Sequence, residues 1–465
     1  MFKNRVWKRA AALLLAAVCV FQVHPMEVKA DDYWPEGPEV ASPAAIVMDM
    51  STGTILYEKN IDETYYPASI TKIVTALVAL ENGNLSDVVT FSDAAIDNTE
   101  GSGIARDYGE QMTLEECLYG MMLASSNECA YAIAEHVGGS LEGFVEMMNA
   151  KAKELGCTNT HFTNPHGLPD ENHYISCRDM ATLAAAAYQN ETFRIITGTA
   201  RYSIPPTNKH DVPTDLQNHN EMLYPYKYNK YVYEYCTGGK TGYTTVANST
   251  LVTYAEKDGM SLVCVVMNTV FPNQWTDSKS LFEYCFDNFQ LWNISENETN
   301  YVSGESIESG SLNENDPFVE LDKNACIVLP KTAEFFDAES KIATNEEVSP
   351  IAGTITYTYA GHQIGSADIM TTGVKIEGYV FDNQKESEEA SEEVSTLRIK
   401  PQTIVWIVIG VIVLILLLIF SKYLYDNYYI IRHNMNVRKQ KKTQFRRDKK
   451  REKRRKRRKR QRMFK

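Results

Sequence analysis

The chain is 465 residues long, 44% hydrophobic and 23% charged, which exceeds one ordinary domain and leaves ample material for a core. Its net charge of −13 hides a division: residues 31–400 carry 21 basic and 56 acidic side chains, residues 421–465 carry 21 basic and three acidic. Opposite charge in two segments implies two compartments or two partners, and the nine cysteines lack the compact spacing of a stapled mini-domain or a zinc site.

Residues 1–30 read as a secretory signal. Lys3, Arg5, Lys8 and Arg9 form a basic start, Ala10 to Val23 an apolar stretch, and Val28-Lys29-Ala30 a small-residue cleavage site. An uncleaved membrane anchor is the alternative, and either form exports the bulk of the chain. Ala44 to Met50 and Gly53 to Glu58 are expected to be short strands around the Ser51-Thr52-Gly53 turn.

Tyr66-Pro67-Ala68-Ser69-Ile70-Thr71-Lys72 then enters an apolar, helix-compatible run, Ile73 to Leu80. Residues three apart share a helix face, about 5–6 Å between Cβ atoms. Ser69 and Lys72 therefore point together at a helix N-terminus, where the dipole favours developing negative charge. A serine hydroxyl needs a base, and a partly desolvated amine one turn away supplies it. Alone, S-x-x-K is common by chance and equally describes a surface turn.

Helices are expected over Met112 to Gly138, broken at Ser125-Ser126-Asn127, and over Leu141 to Leu155 and Asp179 to Gln189. Lys240-Thr241-Gly242 follows Gly238-Gly239 and precedes a β-leaning stretch. Strand-like runs return at Ser249 to Ala255 and Ser261 to Val270, with a last helix expected over Ser278 to Leu291. Strands at both ends of a helical middle predict an α+β domain, residues 35–293, with helices packed on an antiparallel sheet.

S-x-x-K, S-D-N and K-T-G form the motif set of serine penicillin-binding proteins and class A β-lactamases. Ser69-Ile70-Thr71-Lys72, Ser125-Ser126-Asn127 and Lys240-Thr241-Gly242 reproduce it in order, with an S-x-N middle member. At this point the chain resembles the low-molecular-mass penicillin-binding proteins that act as D-alanyl-D-alanine carboxypeptidases. Supporting stretches are Ala45 to Asp49 with Thr52-Gly53, Thr160 to Asn164 with Gly167-Leu168, and Cys177-Arg178-Asp179-Met180-Ala181. Gly353 to Tyr357 and Ile364-Gly365 resemble the family's second domain. Ser126 and Asn248 stand where many members have glycine.

The resemblance implies a transpeptidase-like fold with its site between sheet and helices, and no metal or organic cofactor. Ser69 would attack the carbonyl between two D-alanines, Lys72 would be the base, and Ser125 would relay a proton to the leaving amine. Backbone N–H groups of Ser69 and Tyr243 would form the oxyanion hole. Asn127 would hold the substrate's peptide carbonyl or side chain, and Lys240, Thr241 and Gly242 would bind around the terminal carboxylate. Two clustered ammonium groups would lower the pKa of Lys72. The implied partners are the peptidoglycan stem pentapeptide and β-lactams. A β-lactamase, or a sensor that is acylated without turnover, is the rival reading; speed of deacylation separates them.

Composition shifts to Ser, Glu and Asn after Ser295. Residues 294–381 then read as a small all-β domain, with strands at Ala325 to Leu329, Gly353 to Tyr359 and Val374 to Val380, and a hairpin turn at Ala360-Gly361. Residues 382–402 form an acidic linker. Thr403 to Phe420 is 18 residues without charge, close to spanning a ~30 Å hydrocarbon core, with Trp406, Tyr423 and Tyr425 at its ends. Nine of the ten residues from Arg451 to Arg460 are basic. That tail, residues 421–465, is expected in the cytoplasm against anionic lipid, with the enzyme outside and no nucleic-acid role. Cys117, Cys129, Cys157, Cys177, Cys236, Cys264, Cys285 and Cys326 are read as small hydrophobes, and His161, His166 and His173 as structural.

Overall fold

A computed structural model describes residues 33–298, 318–344 and 351–372. The expected signal, the strand at 374–380, the linker, the span at 403–420 and the basic tail lie outside the described residues.

The apolar run β1 (Ala44–Asp49) is buried along its whole length, as a strand covered on both faces must be. A tight turn leads into β2 (Ile55–Lys59). Asp49 Oδ1 accepts bonds from the backbone N–H groups of Ser51 and Thr52, at 3.1 and 2.9 Å, and from both hydroxyls. Gly53 closes the turn at φ +71°. Burial nevertheless pushes the Asp49 carboxyl upward.

Far along the chain come β3 (Cys236–Thr244), β4 (Asn248–Lys257) and β5 (Met260–Thr269). Together the strands form a five-stranded antiparallel sheet in the order β3-β4-β5-β1-β2. β3 is thus an edge with only β4 beside it. Side chains alternate across a strand. Ile46, Met48, Val252, Tyr254, Val263 and Val265 face one way, into a core shared with the helical region. Ala45, Val47, Leu251, Leu262, Cys264 and Val266 face the other, against a late helix.

The helical region contains α1 (Lys72–Asn82), α2 (Leu114–Leu123), α3 (Asn127–Gly138), α4 (Leu141–Glu154), α5 (Cys177–Tyr188) and α6 (Glu191–Gly198). Side-chain caps fix several starts: Thr113 with Glu116 for α2, Ser140 for α4 and Ser176 for α5. The break between α2 and α3 falls at the expected serines.

The final helix differs from expectation. α7 spans Asn273–Asn288, and Phe289–Asn293 leaves it as a strand, β6. Leu291 and Trp292 pair there with Val328 and Ile327, so non-local pairing decides where the helix ends. This strand belongs to a second antiparallel sheet with β7 (Phe318–Leu321), β8 (Cys326–Pro330), β9 (Glu339–Thr344), β10 (Ile351–Tyr359) and β11 (His362–Thr372). In β10, Ile355, Tyr357 and Tyr359 are buried while the alternating threonines are half-buried. Ala360 and Gly361 link β10 to β11 with φ of +49° and +80°, the two left-handed positions of a short hairpin.

All eight cysteines among the described residues are free thiols, six of them buried, as small hydrophobes are. No helix among the described residues is long and apolar enough to cross a membrane.

Phe282 is fully buried between the sheet and α7. Phe282→Ala should therefore destabilise the protein by about 3–5 kcal/mol in denaturant unfolding. A loss below about 1 kcal/mol would contradict this packing.

Candidate active site

Ser69 lies in a 3₁₀ turn, Ala68–Thr71, that feeds directly into α1 at Lys72. The turn starts strained: Ala68 has φ +52°, a left-handed conformation that costs a non-glycine residue of order 1–3 kcal/mol. Ser69 is half-exposed while Lys72 is fully buried.

Lys72 Nζ has three neighbours: Ser69 Oγ at 2.9 Å, Asn127 Oδ1 at 2.6 Å and the His166 carbonyl at 2.9 Å. Two of them can only accept. A neutral amine gives those two its N–H groups and leaves its lone pair facing the Ser69 hydroxyl. The contacts therefore orient the amine as well as holding it close. Burial, and next the charge of Lys240, hold the Lys72 amine well below the usual lysine range.

Ser125 stands in the break between α2 and α3 at φ +61°, buried, with its hydroxyl 3.1 Å from Lys240 Nζ. Ser126 caps α3 by accepting the Cys129 N–H at 3.1 Å, which gives this side chain a structural task. Asn127 starts α3. Its Oδ1 is held by Lys72, and its Nδ2 donates to the Glu100 carbonyl. Its observed work is to position Lys72.

Lys240 comes from the edge strand β3 and also donates to the Thr241 carbonyl at 2.8 Å. One N–H of its ammonium has no partner among the described residues. Burial brings its pKa down to about 7. Gly242 allows β3 to approach the nucleophile: a Cβ there would sit 2.9 Å from the Ser69 nitrogen and collide with the Thr250 hydroxyl. Tyr243 follows, 69% exposed. Asn248, at φ +53°, occupies a left-handed position that asparagine adopts more readily than most residues.

A family model described as D-alanyl-D-alanine carboxypeptidase, Peptidase S11, matches residues 31–270. The chain belongs to this family. It is accordingly a hydrolase. The Bacillus subtilis D-alanyl-D-alanine carboxypeptidase DacF is 39% identical over 236 residues, 50% of this chain and 58% of that protein. The Haemophilus influenzae D-alanyl-D-alanine carboxypeptidase DacA is 29% identical over 362 residues, covering 74% of this chain and 88% of its own. The crystal structure of a Mycobacterium tuberculosis D-alanyl-D-alanine carboxypeptidase aligns at 30% identity with a TM-score of 0.50, covering 54% of this chain and 94% of that one. A Streptomyces DD-transpeptidase aligns equally well, with 30% identity, a TM-score of 0.50 and coverage of 54% and 100%. These similarities establish the transpeptidase-like α+β fold.

The peptidase site also uses residues that side-chain reasoning missed. The His166 carbonyl, a backbone acceptor without a residue signature, is aimed by Asn164. That amide accepts the Gly167 N–H at 2.7 Å and donates to the Leu168 carbonyl at 3.0 Å. Gly167 has φ +84°, and a Cβ there would run into the Ala68 carbonyl. The Asn164…Gly167 pair was the available signal. His173 Nε2 lies 2.9 Å from Thr71 Oγ1, and His161 Nδ1 meets the Asn172 carbonyl, so these histidines brace the loop. Burial, then the charge of Lys72, hold the His166 imidazole down at about 3. His219 sits near Lys240 and is likewise held neutral, at about 4, chiefly by burial. Asp107, Glu110 and His210 have metal-ligand chemistry, but Glu110 is already paired with Arg106 at 2.8 Å and His210 at 2.9 Å.

The two lysines predict a bell-shaped pH profile for the free enzyme. The rising limb reports neutral Lys72, and the falling limb reports loss of the Lys240 charge near pH 7. A bound carboxylate stabilises the Lys240 cation, so the falling limb should lie at higher pH in kcat than in kcat/KM. Profiles for a substrate ending in a free carboxylate check this; coincident falling limbs would contradict it.

Proposed function

We propose that this chain is a serine-type D-Ala-D-Ala carboxypeptidase that removes the terminal D-alanine from peptidoglycan pentapeptide stems. The observation that carries the reading is the buried Lys72 amine aimed at Ser69 Oγ from 2.9 Å. Ser69 attacks the carbonyl between the two D-alanines as its proton passes to Lys72. Its backbone N–H and that of Tyr243 stabilise the oxyanion. Ser125, backed by Lys240, returns a proton to the departing amine, and water hydrolyses the acyl-enzyme. Lys240 and Thr241 receive the terminal carboxylate; Gly242 lets that strand come close. Asn127 keeps Lys72 in place and lies beside the acyl group. Penicillin acylates the same serine.

Release of D-alanine from a stem ending in D-Ala-D-Ala tests the activity, measured with and without an acceptor amine. Free D-alanine should dominate. Ser69→Ala should lower release by more than about a thousandfold and abolish labelling by fluorescent penicillin. Dominant cross-linked product, or an unchanged rate after amidating the terminal carboxylate, would overturn the carboxypeptidase reading.

The proposal extends to the rest of the chain. Residues 1–30 direct export, residues 294–381 act as a β spacer, and 403–420 cross the cell membrane once. The enzyme then faces outward and the basic tail meets anionic lipid in the cytoplasm. The charge division and the uncharged 18-residue run support this. In a cysteine-free background, a cysteine near Lys465 should react with an impermeant thiol reagent only after permeabilisation, and one near Gln384 in intact cells too. Labelling of the tail in intact cells would reverse the topology.

A further inference from the structure

Glu128 follows Asn127 directly, yet no step of the chemistry uses it. It is 7% exposed and pairs with no cation among the described residues. A buried carboxylate is costly unless hydrogen bonds satisfy it, so its neighbours show what keeps it there.

Those neighbours form one irregular segment, residues 99–104, that lies on the first turn of α3. Glu128 Oε1 accepts the Ile104 N–H at 2.6 Å, a charge-assisted bond. The Asn127 N–H donates to the Ser102 carbonyl at 2.8 Å, and Asn127 Nδ2 donates to the Glu100 carbonyl. Every second residue from 100 to 104 is thus held by one of two adjacent residues of α3. The residues between are glycines. A Cβ on Gly103 would stand 2.7 and 2.8 Å from the two Glu128 oxygens, and one on Gly101 would stand 3.5 Å from Asn127 Nδ2. Residues 100–103 are exposed, while Asn127 and Glu128 are buried.

This contact reaches the base in two ways. Asn127 Oδ1 takes a bond from Lys72 Nζ at 2.6 Å, so whatever fixes Asn127 also fixes the amine. The titratable groups acting on Lys72 are Lys240 from β3, His166 from the loop after α4, and Glu128 and Cys129 from α3. Burial and then Lys240 favour the neutral amine, and Glu128 is the stronger of the two α3 groups that oppose them.

We infer that Glu128 is a positioning residue for acylation: its carboxylate pins residues 99–104 on the start of α3, which fixes Asn127 and keeps the Lys72 amine trained on Ser69. It touches no reacting atom. Its charge also keeps Lys72 from falling as far below the ordinary lysine range as burial alone would take it. The inference rests on Ser69 being the nucleophile that Lys72 activates. An acidic residue that only complemented the dipole at the start of α3 would leave acylation alone.

The test is the rate at which fluorescent penicillin acylates the protein across a range of pH. Glu128→Ala frees the segment and should slow acylation about tenfold or more, the scale on which small misplacements act. Glu128→Gln keeps an acceptor for the Ile104 N–H and should stay within about threefold of wild type on the plateau. It removes the anion that favours the Lys72 ammonium, so its rising limb should move to lower pH. Gly103→Ala displaces the carboxylate from the other side, and should slow acylation in wild type but add little to Glu128→Ala. Wild-type rates in Glu128→Ala, or a rising limb in Glu128→Gln that stays in place or moves to higher pH, would overturn the inference. If Glu128→Ala fails to fold, the Glu128→Gln profile and the Gly103→Ala rate still decide it. If wild type releases no D-alanine, the carboxypeptidase reading fails, and the penicillin rates still decide the role of Glu128.

Discussion

A primary amine sealed from water beside a second primary amine is the constraint around which this enzyme is arranged. Lys72 and Lys240 are 0% and 1% exposed, and an isolated buried ammonium is costly unless its proton leaves or its hydrogen bonds are met. Both outcomes are visible. Lys72 is surrounded by acceptors from three segments, and desolvation together with Lys240 favours its neutral form. The lowered pKa of Lys72 is here a direct product of burial.

That constraint explains why distant segments converge. The 3₁₀ turn supplies Ser69, the start of α3 supplies Asn127, the loop after α4 supplies the His166 carbonyl, and β3 supplies Lys240. Gly242 lets the sheet, and Gly167 the loop after α4, come close to the Ser69 turn because each leaves out a Cβ. Thr250 Oγ1 binds the Pro67 carbonyl at 2.8 Å, tying the sheet to the nucleophile's turn. Ala68 and Ser125 stay in left-handed conformations because these contacts over-determine them. The strain sits at Ser125 itself and at Ala68, the residue immediately before Ser69.

Much of this was legible in the residues. Ser69 and Lys72 at a spacing of three, the serines in a gap between apolar helical runs, and Lys240 on a β-leaning stretch locate the site without coordinates. Alternation in Ile355, Tyr357 and Tyr359 likewise marks the buried face of β10. What escaped was carried by backbone or by tertiary choice. The His166 carbonyl and the edge position of β3 have no side-chain signature. Asn127, whose amide is expected to hold substrate, also gives Lys72 an acceptor, a second task its type does not announce. Phe289 to Asn293 continues a helical pattern locally, but pairing with β8 is non-local and overrides it.

The edge strand puts a second constraint beside the first. At its centre β3 holds Lys240, buried, with its pKa brought down to about 7 by that burial. Its ammonium meets the Ser125 hydroxyl at 3.1 Å and the Thr241 carbonyl at 2.8 Å, neither of them an anion. A negative charge brought to that edge would favour the protonated form, and the same low dielectric that weakens the lone cation would strengthen the pair. Burial, rather than formal charge, therefore sets how strongly Lys240 answers an anion, whereas an exposed charge in high dielectric is screened by salt.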